Sequence, residues 1–176
     1  MPQTATGSSR GDWSKPANGL SGRLVIELEA LELGVRHAIH AELKNEALES
    51  IVLTSQPRCD ARLSDAAGTP VPVAGFPSSG PMPAPHWAMV PPEAYIGLRI
   101  DTRAAAIPTR ERALALVAVG GRSWALGAGV YVLSVALAFE EQNSGPERQW
   151  LGTLDLPPVG FEVTAAMFQA PATRPS

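Results

Sequence analysis

Apolar and polar positions alternate along much of this chain. From Leu20, the positions Leu20, Gly22, Leu24, Ile26, Leu28 and Ala30 interleave with Ser21, Arg23, Glu27 and Glu29. A period of two marks a strand with one face in a core and the other in water. The stretch "VRHAIHAELKN" repeats it: Val35, His37, Ile39, Ala41 and Leu43 share one face, and Arg36, His40, Glu42 and Lys44 the other. Gly34 lets the chain reverse between these two strands, and Asn45 ends the second in a turn. "SIVLTS" and "RCDARLSDAAG" predict two more short strands, the latter with Cys59, Ala61 and Leu63 inward and a turn over Asp65 to Gly68.

The C-terminal half continues in the same manner. "YIGLRID" sets Ile96, Leu98 and Ile100 on one face. "TRERALALVAVGGRSWAL" predicts a strand, a hairpin turn at Gly120-Gly121 suited to positive φ, and a return strand carrying Trp124. The Ala, Leu, Arg and Glu of residues 110–117 also favour a helix. The alternation of Leu114, Leu116 and Ala118 just ahead of a hairpin dipeptide decides for a strand. In "LGAGVYVLSVALAF", Tyr131, Leu133, Val135, Leu137 and Phe139 occupy every second position. Polar residues 140–149 follow, and "WLGTLDLPPVGFEVT" closes the series with Val159, Phe161 and Val163. Eight or nine such strands predict an all-β, antiparallel β-sandwich.

Between Pro70 and Pro92 the pattern stops. Eight of the chain's 17 prolines fall there, in "PVPVAGFPSSGPMPAPHWAMVPP". Each lacks a backbone donor and fixes φ, so a helix or a central strand cannot persist. A long proline-rich loop is expected over 70–92, partly packed down through Phe76, Trp87 and Met89. Long irregular loops in compact domains are usually functional or disordered. Residues 1–19, rich in Ser, Gly, Thr and Pro, are expected to form a flexible N-terminal tail, residues 20–165 the folded domain and 166–176 a C-terminal tail. Arg10-Gly11-Asp12 spells an integrin-binding tripeptide, a pattern too short to carry function by itself.

The length of 176 residues fits one domain. A net charge of −3 without a Lys/Arg cluster argues against nucleic acid as a partner. Of the 14 basic residues only Lys15 and Lys44 are lysines, and alanine is abundant, the bias of GC-rich bacterial coding. Cys59 is the single cysteine, so no intramolecular disulfide contributes. The N-terminus lacks the charged and apolar regions of a secretory signal, and no run of 18 apolar residues occurs. A soluble chain with no transmembrane segment, cytoplasmic by default, is expected.

The segment L-G-A-G-V-Y-V-L resembles the tyrosine corner of immunoglobulin-like sandwiches, whose Tyr returns its hydroxyl to the backbone upstream. The resemblance implies structural roles for Gly129 and Tyr131, with Leu133 where antibody domains carry a cysteine. "DWSKPANGLSGRL" followed by "AELKNEALESIVL" resembles the opening of immunoglobulin-like domains in uncharacterised bacterial extracytoplasmic proteins. The Asn-turn and L-x-x-G-x-Y are also similar to the intracellular proteinase-inhibitor domain family of bacilli.

Candidate chemistry is sparse. His37 and His40, three apart on a strand, point to opposite faces and cannot share a metal. Cys59 has no basic neighbour on its expected face to lower its pKa. Met82, His86 and Met89 would suit a soft metal, but one imidazole without a second strong ligand reads better as loop packing. No nucleophile elbow, zincin, P-loop or dinucleotide fingerprint occurs. Neither a metal nor another cofactor is expected.

Trp87 and Trp150 are the more telling pair. If the proline-rich loop and residues 140–149 lie at one end of the sandwich, the two indoles, with Met82 and His86, line a patch for a partner or a sugar. The competing reading has them covering the ends of the core. The leading expectation is a noncatalytic interaction module that binds a protein partner, or joins a larger assembly, through loops or a sheet edge. One alternative is a proteinase-inhibitor-like domain using loop 70–92 as a rigid wedge. Another is a carbohydrate-binding module or an enzyme with dispersed residues.

Overall fold

The computed structural model describes residues 8–27, 38–75, 84–100, 102–108, 113–119, 121–142 and 145–165. Twelve strands follow one another: β1 (Ser8–Arg10), β2 (Leu20–Glu27), β3 (Ile39–Asn45), β4 (Ile51–Thr54), β5 (Arg58–Asp65), β6 (Trp87–Val90), β7 (Tyr95–Arg99), β8 (Thr102–Pro108), β9 (Ala113–Val119), β10 (Arg122–Leu126), β11 (Gly129–Phe139) and β12 (Gly152–Val163). All named strand pairs are antiparallel. They form a four-stranded sheet β1-β2-β3-β7, a three-stranded sheet β12-β11-β5, a second three-stranded sheet β10-β9-β8 and a ribbon β4-β6. The architecture is all-β and compatible with a β-sandwich.

The alternating positions become the core. β3 buries Ile39, Ala41, Leu43 and Asn45, β11 buries Leu133, Val135, Leu137 and Phe139, and β5 adds Ala61 and Leu63. The first two sheets face each other. Leu154 and Leu156 of β12 lie against Gly22 of β2, so closely that a Cβ there would stand 2.7 Å from Leu156 Cδ2 and 2.8 Å from Leu154 Cδ2. Glycine at 22 is what allows this approach.

β12 changes parity along its length. Leu154 and Leu156 are buried on even positions, Val159, Phe161 and Val163 on odd ones. The register against β11 shifts between Leu133 and Val135, where three residue steps on β12 oppose two on β11. The extra residue is a bulge at Pro157-Pro158, which lets both halves of the strand face inward.

Three expectations are corrected. The tail expected over 1–19 is part of the fold from Ser8: Ser8–Arg10 pair with β2, Gly11 N donates to Leu24 O (2.9 Å), and Ser14 N donates to Gly22 O (2.8 Å). Small residues permit this, because a Cβ on Gly11 would meet Val159 of β12 at 2.8 Å. The loop expected over 70–92 is anchored at both ends. Pro70 bridges to Ser64, Gly75 bridges to Ser123, and Trp87–Val90 form β6 against β4. Prolines on either side confine this strand to a two-stranded ribbon. Among the described residues, β1, β6 and β8 are strands beyond those expected.

The β9-β10 hairpin stands where predicted, with Arg122 opposite Val119 and Gly121 at φ +78°. At the start of β11, Tyr131 Oη donates to Gly127 O at 3.1 Å. Gly129, at φ +159°, has extended backbone there. Tyr131→Phe is expected to lower stability by about 1 kcal/mol through loss of this half-buried bond. Denaturant melts of the two proteins check this; identical midpoints would deny the corner a structural role.

Candidate functional site

The ribbon β4-β6 carries Trp87 and Met89 and ends beside His86. Thr54 pairs with Trp87, Leu53 with Ala88, Val52 with Met89 and Ile51 with Val90. The exit of the proline-rich segment is pinned at the ribbon's end, with Ser55 N donating to His86 O (2.8 Å) and His86 N to Ser55 Oγ (2.9 Å). Val52 O accepts from Trp150 N at 2.9 Å, so the ribbon is tied to the chain entering β12.

Gln142, Gly145 and Gln149 hold the described parts of the segment 140–149 against this ribbon. Gly145 N donates to Gln142 O (2.9 Å), Gln149 Nε2 donates to the same oxygen (3.1 Å), and Gln142 Nε2 reaches Thr54 Oγ1 (3.4 Å). A Cβ on Gly145 would stand 2.5 Å from Trp87 Cζ2. Here the missing side chain is what seats the indole against the loop. Beside this contact Glu141, Gln142, Pro146, Glu147, Gln149 and Leu151 line a shallow concavity of about 270 Å³, under the ~300 Å³ lower end for small-molecule pockets. Met89 is 70% exposed and Leu151 44%, while His86 is exposed and Trp87 half-buried.

Trp150 does not join this surface. It is 8% exposed, donates through Nε1 to Asn18 O (3.1 Å) and meets Phe139 edge-on with centroids 5.2 Å apart. Its indole caps one end of the core with its polar edge satisfied. Met82 and His37 lie outside the described residues. His40 sits 3.8 Å from Glu27 through Nδ1, and among the described residues no group of three metal-ligating side chains forms. Arg10-Gly11-Asp12 runs along β2 and is not a projecting loop, since Gly11 is bonded to Leu24 and packed against Val159. Trp124 is 1% exposed and belongs to the core.

Cys59 of β5 is half-buried beside Asp60 and Arg122. Burial pushes its thiol from 9.0 up to about 11, the Asp60 charge adds to the rise, and Arg122 opposes it. At about 11 the thiol yields about a hundredfold less thiolate near neutral pH than at its ordinary value. Labelling by Ellman's reagent at pH 8 is therefore expected to be at least tenfold slower in the folded chain than in urea. Equal rates would mean that the thiol is neither buried nor suppressed.

A second polar arrangement escaped the sequence reading. On the outer face of the four-stranded sheet, Arg23 grips Glu42 Oε2 through Nε (2.7 Å) and Nη2 (2.6 Å), while its guanidinium lies 4.6 Å over the ring of Trp13. Lys44 bridges Glu46 (3.8 Å) and Glu93 (3.3 Å) nearby. The signal was the opposite charges at outward positions of β2 and β3, but their register is not written in either strand alone. No family model, curated protein or solved structure matches this chain. Among the described residues no helix is long and apolar enough to cross a membrane.

Proposed function

We propose that this chain is a noncatalytic immunoglobulin-like β-sandwich that binds a protein partner at the surface shared by β4-β6 and the described residues 140–142 and 145–151. The strand order supports the fold reading. With β2, β3 and β7 as strands A, B and E, and β5, β11 and β12 as C, F and G, the hydrogen-bonded orders A-B-E and C-F-G are those of the immunoglobulin sandwich. Tyr131 then stands at the start of strand F. β1 is an added edge strand, and β8-β9-β10 are inserted between E and F.

The observation that carries the binding role is the seating of Trp87 on Gly145. It joins the end of the proline-rich segment to residues 145–149, with Met89 70% exposed on the same ribbon. Methionine and tryptophan are enriched where proteins meet, and a concavity of about 270 Å³ lined mostly by polar side chains is small for a ligand-sized molecule. Affinity capture from a lysate with the wild type and with Met89→Glu/Leu151→Glu tests it, once circular dichroism shows both folded. A partner held by the wild type and lost by the variant supports the reading. Identical partners with both proteins, or none with either, overturn it.

A second reading, a proteinase inhibitor, draws on the anchoring of the proline-rich segment. Ala74 N donates to Ser123 O (2.8 Å) and Ser123 Oγ to Gly75 O (2.8 Å) at one end, and Ser55 holds His86 at the other. Anchored flanks lower the ordering cost of presenting a segment to a partner. Titration against a panel of purified proteases separates the two readings: stoichiometric inhibition of one favours the inhibitor, and full activity of all removes it.

A further inference from the structure

The edge of the four-stranded sheet at β7 has a composition of its own. Ile100 N donates to Ile39 O (3.2 Å) and Ala94 O accepts from Asn45 N (2.9 Å). Even-numbered positions of this strand therefore face β3, and by alternation the N–H and C=O groups of Tyr95, Gly97 and Arg99 point away from it. Among the described residues no strand covers that side, for β7 pairs with β3 alone. The edges at β5 and β12 are partly closed: Val71 N donates to Leu63 O beside β5 (2.8 Å), and Ser9 Oγ donates to Gly160 O of β12 (2.8 Å).

Tyr95, Gly97 and Arg99 are all exposed, and nothing lies within 4 Å of where a Cβ on Gly97 would stand. Read antiparallel about Gly97, the triplet is its own complement. Glycine falls opposite glycine, and each tyrosine falls opposite an arginine. We propose that β7 is a pairing edge for a second copy of this chain, the two strands meeting antiparallel about a twofold axis at Gly97. Tyr95 of one protomer then faces Arg99 of the other, twice, within cation–π reach. The two Arg99 residues lie at opposite ends of the pairing, so like charges do not meet. Outward groups of three residues on each side supply the ladder, and the two four-stranded sheets become one. An isologous contact of this kind closes with two copies and leaves no further edge of the same type. A five-residue edge is short, so the dimer belongs to the weak, concentration-dependent class.

Sedimentation velocity over a wide range of protein concentration tests this with three variants. Gly97→Pro removes an outward donor without touching a bond to β3, and proline is tolerated on an edge whose N–H side faces solvent. It should stay folded by circular dichroism and sediment as a monomer where the wild type dimerises. Tyr95→Arg sets arginine against arginine and should weaken the dimer about tenfold, whereas Tyr95→Glu sets a carboxylate against Arg99 and should dimerise at least as well as the wild type. A wild type that stays monomeric throughout, or a Gly97→Pro protein that dimerises normally, overturns the proposal. Equal behaviour of the two Tyr95 variants overturns the register. None of these substitutions touches the surface on β4-β6, so the outcome is independent of the partner-binding reading.

Discussion

Trp124→Ala is expected to destabilise the chain by about 3–5 kcal/mol, the range for removing a fully buried tryptophan side chain. Trp124 is 1% exposed and the largest of the fully buried side chains. The loss combines the indole's transfer free energy with the void that its neighbours cannot fill. Position makes the site more sensitive still. Trp124 lies on β10, opposite Val117 of β9, while Leu126, two residues on, is also in the core cluster. Its indole is thus a main apolar anchor holding the sheet β8-β9-β10 to the core. Against a typical total of about 5–15 kcal/mol, such a loss leaves a marginal fold. Urea unfolding followed by the fluorescence of Trp13, Trp87 and Trp150 measures it. An unchanged slope with a lower midpoint means the whole chain unfolds together, and a reduced slope means the appended sheet has already detached. A midpoint within error of the wild type would show that Trp124 does not anchor it.

The sequence made this element legible because its signals agree. Strict alternation, a Gly-Gly turn and a tryptophan on the inward parity all indicate β10, and β11 follows from five apolar residues on every second position. β8 was hidden for the opposite reason. "TRAAAIP" is dominated by alanine, which is neither apolar enough to mark a core face nor polar enough to mark a solvated one, so no period stands out. β6 was hidden by the prolines around it, which exclude a central strand but not a ribbon. The parity change in β12 was masked because a bulge leaves each half of the strand regular; only the register against β11 exposes the extra residue.

The candidate site was legible by half. Trp87 and Trp150 carry the same side chain beside neighbouring loops, and no local pattern says which indole remains near the surface. Pairing decides. On the chain entering β12, Trp150 N bonds to Val52 O of β4 and its ring lies inward on Phe139. Trp87 sits at the end of β6 and finds the gap left by Gly145. The Arg23–Glu42 pair was out of reach for a related reason: opposite charges on two strands become a contact only once Arg23 is in register with Glu42.

Asn45 should show the second large effect, and its pH dependence separates hydrogen bonding from packing. It is 0% exposed. Its Nδ2 donates to Val90 O (2.9 Å) and Glu49 O (2.8 Å), and its Oδ1 accepts from Ala47 N (2.9 Å). Its backbone carries the bonds to Ala94 and Glu93, so one residue ties β3 to the chain entering β7 and to the ribbon β4-β6. Asn45→Ala leaves the buried Val90 oxygen without this donor and frees the turn, at an expected cost of about 2–4 kcal/mol. That deficit should be the same at about pH 4 and pH 7, since no titrating group is introduced. Asn45→Asp keeps the shape and the bond to Ala47 N but turns an oxygen toward two carbonyl oxygens. Burial and those dipoles favour the protonated acid, which can donate to one of them, so its folded pKa rises above the unfolded value of about 3.9. A carboxyl shifted in that direction destabilises increasingly as pH rises from the unfolded pKa to the folded one. Asn45→Asp should therefore approach the wild type near pH 4 and fall well below it at pH 7. Paired urea melts at the two pH values, each variant against the wild type, provide the measurement. A deficit for Asn45→Asp that does not change with pH would show that its side chain is not held against the two carbonyl groups.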